Sequence, residues 1–165
     1  MTEECAGTFG KTRLSRLRGR LFHWWFLLRR PMTLGVRIIV LDEEKRSVLL
    51  VRHTYVPGWQ LPGGGVEIGE TLADAVTKEL AEEANIAASE PARLLSVHFN
   101  RHASRRDHVA VFLLTRFRQT APRAPDHEIA EARFFPLDAL PENLSPGARR
   151  RLREALEGTA PSPFW

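Results

Sequence analysis

The spacing of apolar residues along the chain predicts several short strands and a few helices. Strands are predicted over 35–41, 47–53, 93–100, 107–117 and 132–135, and helices over 12–29, 72–84 and 146–156. Because the two kinds of element do not alternate regularly, this order indicates a mixed α/β or α+β domain with helices packed on a sheet. Thr71 and Asp74 are typical of a capping box that begins the middle helix, and Asn85 can end it in a left-handed conformation.

The first predicted helix, 12–29, combines apolar residues at spacings of three and four with arginines between them. Its apolar stretch, 21–28, is too short to span a bilayer, and no small-residue cleavage site follows it. Two roles remain open. The helix either packs on protein, including the second subunit of a homodimer, or makes a peripheral membrane contact on anionic lipid. Gly19 weakens an isolated helix by about 1 kcal/mol, which favours a helix supported by protein contacts.

The length of 165 residues favours one domain, expected over 31–157. A tail and the basic amphipathic helix precede it over 1–30, and a loose C-terminal tail is expected over 158–165. The lone cysteine excludes an internal disulfide and suits a cytoplasmic protein. The net charge of +4 is compatible with a phosphate-bearing partner. Nucleic acid is an unlikely partner because zinc-finger spacing, RNP motifs and long basic runs are absent.

The helix predicted over 72–84 carries glutamates where an ordinary amphipathic helix would carry leucine. Glu79, Glu82 and Glu83 share one side, and Glu79 and Glu83 fall within roughly 20° of Leu72 at about 100° per residue. Like charges at this spacing repel, and burial raises that cost unless a cation compensates it. All-oxygen ligation is typical of Mg²⁺ or Mn²⁺. The sequence therefore predicts a divalent metal site on this helix.

A glycine-rich segment, 63–65, lies shortly before this helix. Glycines let the backbone approach a phosphate or present a carbonyl to a metal, although a tight turn explains them equally well. Glu70 adds a carboxylate at the helix entrance, where the helix dipole also favours a negative charge.

Residues 64–86 follow one continuous pattern: Gly64, five residues, Glu70, seven residues, and then KELAEEANI from Lys78. This pattern resembles the Nudix box, GX₅EX₇REUXEEXGU, in which U is a bulky aliphatic residue. Lys78 replaces the family's arginine and keeps the charge without the planar fork. Asn85 replaces a glycine and tolerates the same positive φ. Neither change removes a metal ligand, so the resemblance predicts an active enzyme of the MutT-like hydrolase family.

The resemblance implies a Nudix α/β/α sandwich with a mixed sheet and Mg²⁺-dependent hydrolysis of a phosphoric anhydride bond. The implied substrate is a nucleoside diphosphate linked to another group. By the same resemblance the metal is bound by three glutamates and a backbone carbonyl, which are Glu79, Glu82, Glu83 and Gly64. Glu70 would support the helix by pairing with Lys78. The general base stays open between Glu79 and Glu128, with Glu131 as a weaker third candidate.

Substrate choice depends on residues outside the box. Tyr55 and Trp59 could stack on a nucleobase or belong to the core. Arg101 and Arg105, in the predicted loop 101–106, could bind phosphate or be solvated. No motif selects one nucleotide derivative. The alternative function is a catalytically silent Nudix-like nucleotide-binding or regulatory module, which loss of a box glutamate would favour; none is lost.

Overall fold

The computed structural model describes Phe22, Trp25, Arg29 and all residues from 31 to 165. Most of the helix predicted over 12–29 therefore lies outside the described residues. The three described positions within it are helical; the rings of Phe22 and Trp25 stack 6.2 Å apart, and the Arg29 guanidinium lies 5.5 Å from the Trp25 ring. The chain divides into two compact units, 1–32 and 33–165. Within the described residues, no helix is long and apolar enough to cross a membrane.

A five-stranded mixed sheet forms the centre of the second unit, with the strand order β4-β5-β1-β2-β7. Strands β1 and β5 pair in parallel, the other neighbours pair antiparallel, and β3 and β6 form a separate antiparallel pair. The strands are β1 Thr33–Asp42, β2 Ser47–His53, β3 Ile86–Ala88, β4 Arg93–Phe99, β5 Asp107–Leu114, β6 Phe117–Gln119 and β7 Ile129–Pro136.

Two differences from the predicted strands have simple causes. The segment predicted as one strand over 107–117 is two strands, because the chain leaves the large sheet after Leu114 and pairs again from Phe117 with β3. Strand β3 was not predicted, since its three residues are too few to display an alternating pattern.

Two helices cover opposite faces of the sheet: α1, Leu72–Ala84, and α2, Pro146–Glu157. Successive residues of a strand point to opposite faces, so Ile38 packs in one core cluster with Leu80 of α1 and Ile39 in another with Leu152 of α2. The predicted capping box of α1 is present, and Asn85 ends the helix at φ 51°. This arrangement confirms the α/β/α sandwich.

The C-terminal segment 158–165, expected to be loose, is instead held against the edge strand β4. The Phe99 amide donates to the carbonyl of Pro163 at 2.9 Å, and the Trp165 amide donates to the carbonyl of Phe99 at 3.1 Å. The guanidinium of Arg151 donates to the Phe164 carbonyl at 3.0 Å. The proline-containing composition of this segment predicts a loose tail. The composition gives no sign of the free edge of β4, with which the segment forms its hydrogen bonds.

The glycine-rich segment enters the sheet where β1 and β2 separate. These strands pair only at Leu41–Val48 and Asp42–Ser47. Beyond that point Gln60 exchanges backbone hydrogen bonds with Val51 of β2, and the Val36 amide of β1 donates to the Gly64 carbonyl at 2.9 Å. The segment is thereby fixed between the two strands, beneath α1.

Candidate active site

A cavity of about 690 Å³ opens where α1, the glycine-rich segment, the end of β2 and the segment 123–129 meet. The predicted site residues that line it are Tyr55, Gly64, Glu79, Glu82, Glu83 and Glu128. The fold therefore brings the helix glutamates, the loop glycine and one of the proposed bases to a common space. Residues 45 positions apart in the chain, such as Glu83 and Glu128, share one wall.

Glu83 is a buried carboxylate that the protein compensates only in part. The residue is 5% exposed. One oxygen accepts the Gly63 amide at 2.7 Å, and the other lies 3.4 Å from Nε2 of His53. Burial raises the pKa of Glu83 to about 7 despite the hydrogen bond from Gly63. Burial also lowers the pKa of His53, so this imidazole is a poor source of balancing charge.

Glu79 is buried as well, and it lies directly against the backbone of Gly64. Burial is the largest cause of its raised pKa. A Cβ atom at position 64 would overlap a carboxylate oxygen of Glu79, so a larger residue there would force the end of the Glu79 side chain to move. The Gly64 carbonyl already accepts the Val36 amide, which leaves its second lone pair for another partner.

The third helix glutamate, Glu82, is exposed at the rim of the cavity. Over the described part of the chain, no three His, Cys, Asp or Glu side chains form a ready-made metal-binding group. The full ligand set therefore stays a prediction. The residues nevertheless fit a hard cation, because two buried carboxylates that lack full compensation line the cavity beside the backbone of Gly64, and such a cation prefers carboxylate and carbonyl oxygens.

Lys78 lies against Glu70, as the resemblance implied. Its ammonium nitrogen is 3.1 Å from a carboxylate oxygen of Glu70 and 3.1 Å from one of Glu67. Hydrogen bonds to these two carboxylates raise the pKa of Lys78. Glu70 also accepts the amide of Glu67 at 2.9 Å, so this group closes the turn that leads into α1. Neither Lys78 nor Glu70 lines the cavity.

Glu128 reaches the cavity from a segment that is tied down on both sides. The Tyr55 hydroxyl donates to its carboxylate at 3.2 Å. Asp126 accepts the amides of Glu128 and Ile129, each at 2.8 Å, and these bonds hold the pKa of Asp126 well below its usual range. By contrast, Glu131 lies outside the cavity lining and pairs with Arg52 at 3.2 Å.

Trp59, Arg101 and Arg105 do not line the cavity. The Trp59 side chain is 5% exposed and meets Phe135 edge to face with centroids 4.7 Å apart, which matches the core alternative. Arg101 lies over the Phe164 ring at 4.8 Å, and Arg105 is exposed in its loop. The sequence made these residues candidates for substrate binding because Trp59 is close to the box along the chain and the two arginines carry charge.

Four ionisable residues of the cavity were not predicted as site residues from the sequence: Arg37, His53, Arg123 and Asp126. Arg37 had a usable signal, since it is the lone charge inside the apolar run GVRIIVL. The other three had none, because their role depends on which segments the fold brings beside α1.

A mixed sheet between two helices, with buried helix glutamates against a glycine-rich loop, defines a Nudix-type domain. The family model described as the NUDIX domain matches residues 31–155, and the chain belongs to this family.

Relatives with named activities support this assignment. An ADP-ribose pyrophosphatase of Methanocaldococcus jannaschii is 33% identical over 105 residues, covering 61% of this chain and 60% of that protein. YjhB of Bacillus subtilis is 36% identical over 106 residues, covering 62% of this chain and 50% of that protein. The chain thus spans about half the length of these curated relatives. The crystal structure of a MutT NUDIX hydrolase from Burkholderia pseudomallei matches with a TM-score of 0.63 and 29% identity, covering 73% of this chain and 95% of that one.

Proposed function

We propose that this Nudix domain hydrolyses the pyrophosphate linkage of a nucleoside diphosphate joined to another group, with Mg²⁺ or Mn²⁺ as cofactor. The observation that carries the proposal is the pair of buried carboxylates, Glu79 and Glu83, facing one cavity beside Gly64. Buried acids without a full set of partners destabilise a fold, so their presence here is best explained by a cation that binds them.

The proposed metal ligands are Glu79, Glu82, Glu83 and the Gly64 carbonyl. When bound, the metal would neutralise phosphate charge and lower the pKa of a water molecule. The chain's own residues then have distinct tasks. Glu79 and Glu83 are positioned by α1, and the amide of Gly63 also holds Glu83; Lys78 with Glu70 fixes the start of the helix.

The proposed general base is Glu128, which would accept the proton of the attacking water on a carboxylate oxygen. Its position in the cavity wall and the hydrogen bond from Tyr55 support this role, since both orient the carboxylate. Glu79 is the alternative base. Tyr55 is 66% exposed beside the cavity, and we propose that its ring stacks on the nucleobase.

The first substrate to test is ADP-ribose, because a relative that matches over 105 residues is named for hydrolysing it. The experiment incubates the full chain with ADP-ribose and related nucleoside diphosphate derivatives, with Mg²⁺, with Mn²⁺ or with a chelator. Products are separated by chromatography. We expect metal-dependent release of a nucleoside monophosphate and a second phosphorylated product.

Hydrolysis in water labelled with ¹⁸O identifies which phosphorus atom is attacked, because the label appears in the product that contains the attacked phosphorus. Glu83→Gln should lower turnover by at least about 100-fold while the variant stays folded, since it loses a charged metal ligand. If the wild-type chain binds these nucleotides but releases no product with either metal, the catalytically silent module is the correct function instead.

A further inference from the structure

Arg37 places a half-buried guanidinium in the wall of the cavity. Its Nη1 atom donates to the carbonyl oxygen of Leu61 at 3.0 Å and to that of Gly63 at 2.5 Å. A terminal guanidinium nitrogen carries two hydrogens, so these two carbonyls occupy Nη1 completely. Among the described residues, no acceptor contacts Nε or Nη2 of Arg37, and neither atom is sealed from solvent. One edge of the guanidinium is therefore available to a ligand.

The second arginine of the cavity, Arg123, has no such free edge. Its Nε donates to the Glu82 carbonyl at 2.5 Å, its Nη1 donates to the Ala124 carbonyl at 2.6 Å, and its Nη2 pairs with Asp126. Every nitrogen of this guanidinium thus holds the segment 123–126 in place. All three nitrogens of the Arg123 guanidinium make contacts within the protein, whereas only Nη1 of Arg37 does so.

The charge of the cavity makes this difference important. Five carboxylates line it, from Glu79, Glu82, Glu83, Asp126 and Glu128, against the two arginines. A diphosphate that enters such an acidic space needs positive charge beyond the metal that the glutamates bind. Of the two arginines that line the cavity in the described chain, Arg37 is the one with two guanidinium nitrogens that make no hydrogen bond.

The free edge of Arg37 also has the right shape. Nε and Nη2 form a planar fork that donates two parallel hydrogen bonds, and this geometry matches two oxygens of one phosphate. We propose that Arg37 binds one phosphate of the substrate through this edge while Nη1 holds the glycine-rich segment beside the glutamates. This inference rests on the proposed function and adds a substrate-binding residue from outside the Nudix box.

The test measures binding rather than turnover. The probe is methylenediphosphonate, a diphosphate analogue that cannot be hydrolysed, titrated by calorimetry into the full chain with saturating Mg²⁺. The variants are Arg37→Gln and Arg37→Lys. Lysine keeps the charge and can still donate to the loop carbonyls, but it has no fork. Arg52→Gln is the matched control, because it removes one charge from the neighbouring strand at a residue that pairs with Glu131 outside the cavity.

We expect both Arg37 variants to raise the Kd for the analogue by about 10- to 100-fold, as loss of a charge-assisted pair of hydrogen bonds predicts. The control should change the Kd by less than about twofold, since exposed ion pairs contribute little. Melting temperatures and Mg²⁺ titrations report whether the glycine-rich segment and the glutamates stay in place. Arg37→Lys should keep both near wild type.

Wild-type affinity in Arg37→Lys would overturn the proposal, because charge alone would then suffice. A wild-type chain that ignores the analogue would overturn it too. These outcomes are distinguishable from failure of the proposed function. Metal-dependent turnover of ADP-ribose with unchanged analogue binding in the Arg37 variants refutes only the role of Arg37, whereas a folded wild-type chain that turns over no nucleotide refutes the hydrolase.

Discussion

Replacing Glu83 by glutamine should make the metal-free protein more stable while it removes activity. Glu83 is 5% exposed and its pKa is raised to about 7 by burial. Glutamine has nearly the same shape, and its carbonyl oxygen can still accept the Gly63 amide that now lies 2.7 Å from the carboxylate. The substitution therefore removes the buried charge and little else.

The size of the effect follows from the difference in pKa between the folded and unfolded chain. The pKa rises from 4.5 to about 7 on folding. At about 1.36 kcal/mol per pKa unit, the ionised carboxylate destabilises the fold by about 3 kcal/mol. Because the folded state keeps the Glu83 proton to higher pH than the unfolded state, the contribution of Glu83 to stability is most favourable below about pH 4.5. That contribution becomes less favourable as the pH rises from about 4.5 to about 7, and it levels off above about pH 7.

The assay is urea unfolding of wild type and Glu83→Gln at pH 5 and pH 8 with a chelator present. Between these pH values the stability of the variant relative to wild type should increase by about 2 to 3 kcal/mol, because groups with other shifted pKa values, such as His53, contribute to both proteins. Glu82→Gln is the matched control, an exposed carboxylate on the same helix, and should change stability by less than about 0.5 kcal/mol. Added Mg²⁺ should stabilise wild type more than Glu83→Gln. A stability difference between the two proteins that is the same at pH 5 and at pH 8 would refute the reasoning.

Three further predictions concern other parts of the structure. Lys78→Arg should keep or improve turnover and Lys78→Ala should lower it, because the position orients a carboxylate at the helix start; equal kcat values in all three proteins would show that it orients nothing. Glu128→Gln should lower kcat with Mg²⁺ affinity nearly unchanged, and an unaltered pH–rate profile would return the role of base to Glu79. Deleting 159–165 should lower stability by at least about 1 kcal/mol, since the buried side chain of Arg151 loses the Phe164 carbonyl as a hydrogen-bond partner; an unchanged melting temperature would contradict this.

The part of the fold that the sequence predicted best is α1, whose bounds and caps agree with the structure. Its signals are local: a helical period, a capping box and an asparagine that accepts a left-handed conformation. Short strands such as β3 and β6 carry no comparable signal, because they exist only through pairing with each other. The C-terminal segment was misjudged for the same reason, since its partners lie on β4 and α2.

The residues of the candidate site also differ in whether the sequence alone could identify them. The sequence alone determined that Glu79 and Glu83 occupy the apolar stripe of a helix, because helical spacing places a residue on a face whatever the rest of the chain does. Only the tertiary structure decided that Trp59 lies in the core and that Arg37 lines the cavity. Those outcomes depend on how β1 and β2 separate around the glycine-rich segment, and long-range strand pairing of that kind leaves no periodic trace in the sequence.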